Sequence, residues 1–367
     1  MIAVSPDPTT YEEQFLSKEE RLTTLLAPFN APGIESFRSP PLHYRLRAEF
    51  KIWHEGDSSH YAIFNNGRGK PPTYVESFPT ASLSINKLMP ILKSEFLSSE
   101  LMRNRLFQIE FLSTLTGDML VTMIYHKPLT EEWESAARIL SDKLNVKIIG
   151  RSKKQKLVLQ HDYVEEIFNI ENQKTLTYRQ LEGCFSQPNG NICQQMLNWA
   201  VSTTQKTSGD LLELYCGNGN FTVALAQNFN QVLATEISKP LTAAAILNCK
   251  NNGVQNVNLV RMSAEDISAA LNGEREFRRL KEINLDDYNF STVFVDPPRA
   301  GLDSETEKMI QQFDTILYIS CNPETLVENL KTLTQTHSIE RSAFFDQFPY
   351  TDHMECGVLL KKMTNNS

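Results

Sequence analysis

Asp210-Leu-Leu-Glu-Leu-Tyr-Cys-Gly217-Asn-Gly219-Asn220 joins an apolar run to a turn carrying two glycines, and a helical stretch continues through Ala226. The same alternation repeats downstream. Gln231-Val-Leu-Ala-Thr-Glu236 reads as a second strand, the Ala-rich segment Lys239 to Asn251 as its helix, and Val257 to Val260 as a third strand before a polar, helical insert. Thr292 to Val295 and Thr315 to Ser320 extend the series, and Gly357 to Lys361 closes it as a strand expected to run antiparallel at the edge. Strands alternating with helices predict a parallel, doubly wound sheet. Residues 206 to 367 are therefore expected to form an α/β, Rossmann-like domain.

The first half has another rhythm. Tyr44-Arg-Leu-Arg-Ala-Glu-Phe-Lys-Ile-Trp53 alternates apolar and charged residues at period two, which predicts a half-buried antiparallel strand with Arg45, Arg47, Glu49 and Lys51 on one face. Helical patterns over Ser84 to Ser98 and Thr130 to Leu144, with strand-like Leu106 to Ser113 and Met119 to Tyr125 between them, make this half α+β. Residues 163 to 205 form the junction, where Pro188-Asn-Gly190 marks a turn and Ile192 to Val201 a connecting helix. A chain of 367 residues exceeds the usual span of one core, and the division is drawn at 180/181. Residues 1–180, with an N-terminal helix, are expected to bind RNA, and residues 181–367 to carry the chemistry.

At 41% hydrophobic and 22% charged, with no low-complexity tract, the composition is that of a globular chain and not a disordered one. No apolar run reaches membrane-spanning length, and Met1 to Ala27 lacks the basic start and apolar stretch of an export signal. Six cysteines without a C-x-x-C spacing argue against a zinc site or disulfide framework and for a reducing, cytoplasmic compartment. A net charge of −8 speaks against a nucleic-acid partner, but its distribution does not. Basic residues cluster in the first half at Arg45, Arg47 and Lys51, at Arg68 and Lys70, at Arg103 and Arg105, and over Arg151 to Lys156.

Two glycines directly after a strand let the backbone approach a nucleotide-type ligand. Thr222 stands where a dinucleotide fingerprint has its third glycine, Glu236 ends the next strand where a carboxylate can accept ribose hydroxyls, and Ala264-Glu-Asp266 follows the third. That order suits S-adenosylmethionine better than NAD. Asp296-Pro-Pro-Arg299 follows one strand and Cys321 the next, so both belong at the carboxyl edge of the sheet, where ligands of open α/β folds bind. Asn322 and Pro323 are a cap and first residue for the ensuing helix, whose positive end is expected to lower the thiol pKa below ~8.5. A thiolate beside a sulfonium methyl donor suits C5 of a pyrimidine: addition to C6 makes C5 nucleophilic, and a base then removes the C5 proton. Glu355 is the expected base, and His353 either orients it or is a surface imidazole.

These residues resemble the RNA uracil-C5 methyltransferases over nearly the whole chain. The resemblance is carried by Tyr44-Arg-Leu-Arg-Ala-Glu-Phe50, Phe185-Ser-Gln187, Leu214-Tyr-Cys-Gly-Asn-Gly-Asn220, Asp296-Pro-Pro-Arg-Ala-Gly301, Ser320-Cys-Asn-Pro-Glu324 and His353-Met-Glu355. It implies S-adenosylmethionine-dependent methylation of the T-loop uridine at position 54 of tRNA, with Cys321 as covalent nucleophile and Glu355 as base. It also implies that Gln187, Tyr215, Gly217, Gly219, Asn220, Glu236 and Asp296 contact or surround S-adenosylmethionine. The T-arm of tRNA is the implied partner, with tmRNA a further candidate; neither a membrane nor an obligate protein partner is expected. Some ribosomal-RNA relatives carry an N-terminal β-barrel and a four-cysteine iron–sulfur cluster. Here the first cysteine is Cys184, so neither that cluster nor a metal is expected. Arg45, Arg47, Lys51 and Arg299 are expected at the RNA, with Phe107, Tyr44 and Trp53 as candidate stacking platforms. An adenine amino-methylating enzyme would place an aromatic where Arg299 stands. The residues leave open a ribosomal uracil, a cytosine substrate, and a tRNA-folding role in which methylation is secondary.

Overall fold

The computed structural model describes residues 6–64, 71–171 and 175–364. Helix α1 (Tyr11–Leu26) and strand β1 (Ile34–Phe37) come first. There follow β2 (Arg47–Glu55), β3 (Ser58–Ile63), β4 (Thr73–Tyr74), α2 (Leu83–Leu97), α3 (Glu100–Arg103), β5 (Leu106–Ser113), β6 (Met119–Tyr125), α4 (Glu131–Leu144), β7 (Lys147–Ser152) and β8 (Gln155–Val158). Strands β9 (Tyr163–Phe168) and β10 (Leu176–Leu181) and helix α5 (Gly190–Thr204) lead on to β11 (Asp210–Leu214), α6 (Asn220–Leu225), β12 (Val232–Thr235), α7 (Lys239–Asn251), β13 (Val257–Val260) and α8 (Ala264–Leu271). The chain ends with β14 (Phe290–Val295), α9 (Ser304–Ile310), β15 (Thr315–Ser320), α10 (Pro323–Leu333), β16 (His337–Phe345) and β17 (Glu355–Lys362).

Two compact units result. The first, chiefly Pro40–Ile167 with Arg179–Asn191, is a seven-stranded sheet in the order β4-β3-β2-β5-β6-β7-β8, antiparallel except for β6 and β7. The period-two pattern of β2 has its expected effect: Ala48, Phe50 and Ile52 are buried in an apolar core shared with α2 and α4, while Arg47, Glu49 and Lys51 take the other face. Ser82 and Thr130 cap those helices, each accepting a backbone N–H from the third residue on. The basic run Arg151 to Lys156 is the β7–β8 hairpin, in which Arg151 pairs with Lys156 across the ladder.

The second unit holds Thr9–Ser39, Phe168–Tyr178 and Ile192 onward. Its sheet runs β1-β16-β17-β15-β14-β11-β12-β13, with only β17 antiparallel to its neighbours. The buried strands β11 and β15 have no exposed residue, as a sheet covered on both faces requires. Two expectations change. The closing strand lies inside the sheet, between β15 and β16, and not at its edge. The N-terminal helix, expected in the first domain, packs with the second: β1 pairs with β16, and Phe15, Leu22 and Leu26 of α1 lie in the core beneath. Among the described residues no helix is long and apolar enough to cross a membrane.

The first unit leaves no room for growth at Gly150 on β7. A Cβ there would sit 2.7 Å from Leu129 Cδ1 and closer still to the buried Trp133 ring. Gly150→Ala is expected to lower stability by about 1–3 kcal/mol through overpacking, read as an earlier urea midpoint; an unchanged midpoint would contradict this packing.

Candidate active site

Five strand ends meet at one rim of the second sheet. The parallel strands β11, β12, β14 and β15 deliver Tyr215, Glu236, Asp296 and Cys321 just past their carboxyl ends, and antiparallel β17 delivers its first residue, Glu355, to the same rim. Ser320 on β15 pairs with Cys356 on β17. The next rung would set Cys321 opposite Glu355, a spacing of ~5 Å between Cβ atoms in such pairs. Asp296 follows the strand on the other side of β15, in register with it.

The loop carrying Asp296 is locked to the helix that follows the thiol. The carbonyl of Arg299 accepts from Asn322 Nδ2 at 3.1 Å and from Thr325 Oγ1 at 3.3 Å, and Asn322 caps α10 by accepting the N–H of Glu324. Asn329 of α10 accepts the N–H of Leu302 at 3.1 Å and donates to its carbonyl at 3.2 Å. Gly301 is needed there: its φ is +78°, and a Cβ would meet Asn329 Oδ1 at 2.8 Å.

Electrostatics at this rim depart from expectation. Burial, followed by the charges of Glu355 and Asp296, pushes the Cys321 thiol up to about 11, and Arg299 opposes the rise. The helix end does not outweigh burial and the two acids beside the thiol. Glu355 is 3% exposed, and its Oε2 has no hydrogen-bond partner among the described residues. Burial and then Asp296 hold it far above the ordinary carboxylate range. Burial raises Asp296 to about 7. Arg299 is exposed, with Nη2 3.4 Å from both ring nitrogens of His353, so the imidazole meets Arg299.

The cofactor loop is close by in the same unit. Tyr215 has a φ of +58°, a strained backbone for a non-glycine residue. Gly217 (φ +57°) would project a Cβ into open space, whereas a Cβ on Gly219 (φ +80°), just before α6, would stand only 3.2 Å from Ala245 of α7. Glu236 faces the turn: its Oε2 accepts the N–H of Gly217 at 3.1 Å and its Oε1 that of Ser238 at 2.7 Å. A carboxylate has lone pairs left after two such bonds. The Asn220 side chain donates to Cys193 Sγ at 3.4 Å, and its carbonyl accepts the Tyr178 hydroxyl at 3.0 Å. Fully buried Glu213 on β11, which sequence reasoning passed over, is raised by burial to about 8; its only signal is an acid inside an apolar strand.

Gln187 and the RNA candidates Arg45, Arg47, Lys51 and Phe107 belong to the first unit, whereas Arg299 belongs to the second. Gln187 is buried, next to Pro188, whose carbonyl accepts the N–H of Leu46 at 2.7 Å. Arg45, Arg47, Glu49, Glu110, Thr122 and Glu182 line a cavity of about 510 Å³. Arg45 Nε donates to the carbonyl of Arg47, and Arg47 to Ser186 Oγ at 3.3 Å. Phe107 stacks on His126 with centroids 4.0 Å apart and an interplanar angle of 22°, and Lys51 Nζ stands 4.0 Å over its ring. His126 was not foreseen, because only the β5–β6 register brings it there. Tyr44 is core and Trp53 is half-exposed against Phe64. Arg103 is tied to Ser59, and Arg151 and Lys156 pair with Glu182. Arg68 and Lys70 lie outside the described residues.

The family model for tRNA (uracil-5-)-methyltransferase matches residues 10–363. A Saccharophagus degradans protein named tRNA/tmRNA (uracil-C(5))-methyltransferase is 55% identical over 97% of this chain and 98% of its own. One of the same name from Vibrio parahaemolyticus is 51% identical over 99% and 100%. The crystal structure of Pyrococcus abyssi tRNA (uracil-54, C5)-methyltransferase with S-adenosyl-L-homocysteine aligns with a TM-score of 0.71 at 20% identity, covering 95% of this chain and 83% of that one, and shares the fold.

The raised carboxyl of Glu355 has a stability consequence. The unfolded chain releases that proton near pH ~4.3, whereas the folded chain keeps it, so stability falls as pH rises above that value. Glu355→Gln is expected to raise Tm at pH 7.5 on the order of 2–4 °C, with a smaller gain at pH 5. Equal gains at both pH values in circular-dichroism melts would contradict the burial of a proton there.

Proposed function

The chain belongs to the tRNA (uracil-5-)-methyltransferase family and is a methyltransferase; from that premise we propose that it methylates C5 of the T-loop uridine, position 54, of tRNA through a covalent bond between Cys321 and C6. tmRNA, which the relatives' names include, is proposed as a second substrate. The observation that carries the reading is the β15–β17 register, which sets a thiol and a buried carboxyl on neighbouring strands at one rim.

S-adenosylmethionine supplies an electrophilic methyl group when bound. The open space beside Gly217 and the spare lone pairs of Glu236 suit its nucleoside, and Tyr215, Gly219, Asn220 and Asp296 are proposed to surround it. The Cys321 thiolate adds to C6, and the ring's electron pair moves to make C5 nucleophilic. Once C5 is methylated, Glu355, in the ionised form that Arg299 favours, takes its proton, the C5–C6 double bond reforms, and the C6–S bond breaks to return the thiolate. Arg299 is the cation that opposes the rise in both groups, and it favours their charged forms.

A T-loop uracil must be unstacked and extruded to reach this rim, at a cost of a few kcal/mol, roughly, for one base. The Phe107–His126 stack under Lys51 offers an aromatic face with a cation beside it, and Arg45 and Arg47 offer donors for phosphate or base. We place the reaction in the cytoplasm, where free thiols persist.

Labelled S-adenosylmethionine and an unmodified tRNA transcript test the reading. The methyl group is expected at C5 of the position-54 uridine, and Cys321→Ala is expected to lose about 10³-fold or more of the rate. Transfer to another base, or full activity in Cys321→Ala, would refute it.

A further inference from the structure

Helix α1 grips the rim that carries Cys321 and Glu355. Tyr11, Gln14, Lys18 and Arg21 recur at spacings of three, four and three, which gathers them on one helical face. Each reaches the connection between β16 and β17, residues 346 to 354, whose next residue is Glu355. The Tyr11 ring meets that of Tyr350 edge-on, with centroids 6.1 Å apart. Gln14 donates from Nε2 to Asp346 at 3.2 Å and accepts the Tyr350 N–H at Oε1, also at 3.2 Å. Lys18, 7% exposed, donates to Asp346 Oδ1 and to the carbonyl of Phe348, each at 2.8 Å. Arg21 donates to the carbonyl of Asp352 at 3.3 Å and pairs with Glu324, in the first turn of the helix after Cys321.

Docking of α1 does not need these bonds, since Phe15, Leu22 and Leu26 already bury its apolar stripe. A buried ion pair adds little net stability over an apolar pair of the same shape. What Lys18 and Asp346 add is geometry. Tyr350 is held at a φ of +59°, a backbone that a non-glycine residue keeps only where its surroundings over-determine it. Asp346 is pinned from the other side by its N–H to the carbonyl of Phe37, at the end of β1.

We propose that Gln14, Lys18 and Arg21 are positioning residues for proton removal: they fix the β16–β17 connection so that the Glu355 carboxylate reaches the C5 proton of the covalent intermediate. The inference rests on the roles given to Cys321 and Glu355 above. In the step concerned, Glu355 takes the proton, the C–H electron pair becomes the C5–C6 double bond, and the C6–S bond breaks. A displaced carboxylate therefore slows release of methylated RNA while methyl transfer proceeds.

Single-turnover reactions with labelled S-adenosylmethionine and tRNA transcript separate these steps when samples are denatured and resolved into free and protein-bound label. Lys18→Met alone would strand a buried carboxylate, so the variant is Lys18→Met with Asp346→Asn; exposed Arg21→Gln is the second and decides alone if the first does not fold. Label incorporation within about twofold of wild type is expected, with release slowed about 10- to 100-fold and methylated, protein-bound RNA accumulating. Release at the wild-type rate, or incorporation and release falling in parallel, would overturn the positioning role while wild-type methylation stands. Wild-type protein that forms no Cys321-dependent product would overturn the underlying reading and this inference together.

Discussion

The antiparallel pairing of β17 with β15 is the constraint on which the site depends. In an all-parallel sheet only strand carboxyl ends reach the ligand-binding rim, and each is followed by a loop turning away toward a helix. A strand entering from the opposite direction brings its first residue to that rim. Glu355 is thereby fixed by a ladder on both flanks, with Phe345 on one side and the Ser320–Cys356 rung on the other. Moving the register of β17 by one residue would turn Glu355 to the opposite face of the sheet and Cys356 into its place.

That placement costs electrostatic energy. A thiol raised to about 11, an acid raised to about 7 and another held well above the ordinary carboxylate range gather at one rim, with exposed Arg299 opposing the rise of the thiol and of Glu355. Such clustering of shifted groups is unfavourable for folding and is characteristic of sites arranged for proton transfer. The surrounding structure resists it through uncharged means: the Arg299 and Leu302 backbone groups tied to α10, and the apolar core of α1 below.

Local patterns in the sequence carried much of this architecture. Strand β11 with its glycine turn, strands β12 to β15, and the amphipathic strand β2 were readable because each has its own period or its own flanking turn. The contribution of residues 9–39 was not, since β1 pairs with a strand some three hundred residues away and no local period reports such pairing. For the same reason β16 was missed and β17 was expected at an edge. Arg151 to Lys156 stand out in the sequence as a basic cluster, and the structure pairs its two ends with the buried Glu182. Of the candidate site, the rim positions of Asp296 and Cys321 were legible from motif order, whereas the thiol's pKa was not. A helix start is visible in Asn322-Pro323, but the burial of the thiol and the two acids beside it are set by distant segments.

The most direct measurement is to trap the protein on tRNA containing 5-fluorouridine with S-adenosylmethionine, digest both polymers, and identify the modified peptide by mass spectrometry. Fluorine at C5 leaves no proton for the base to remove, so the adduct persists. A methylated fluoronucleotide on Cys321 is the predicted result. An adduct on another of the six cysteines, or none while methylation of ordinary tRNA proceeds, would contradict the account.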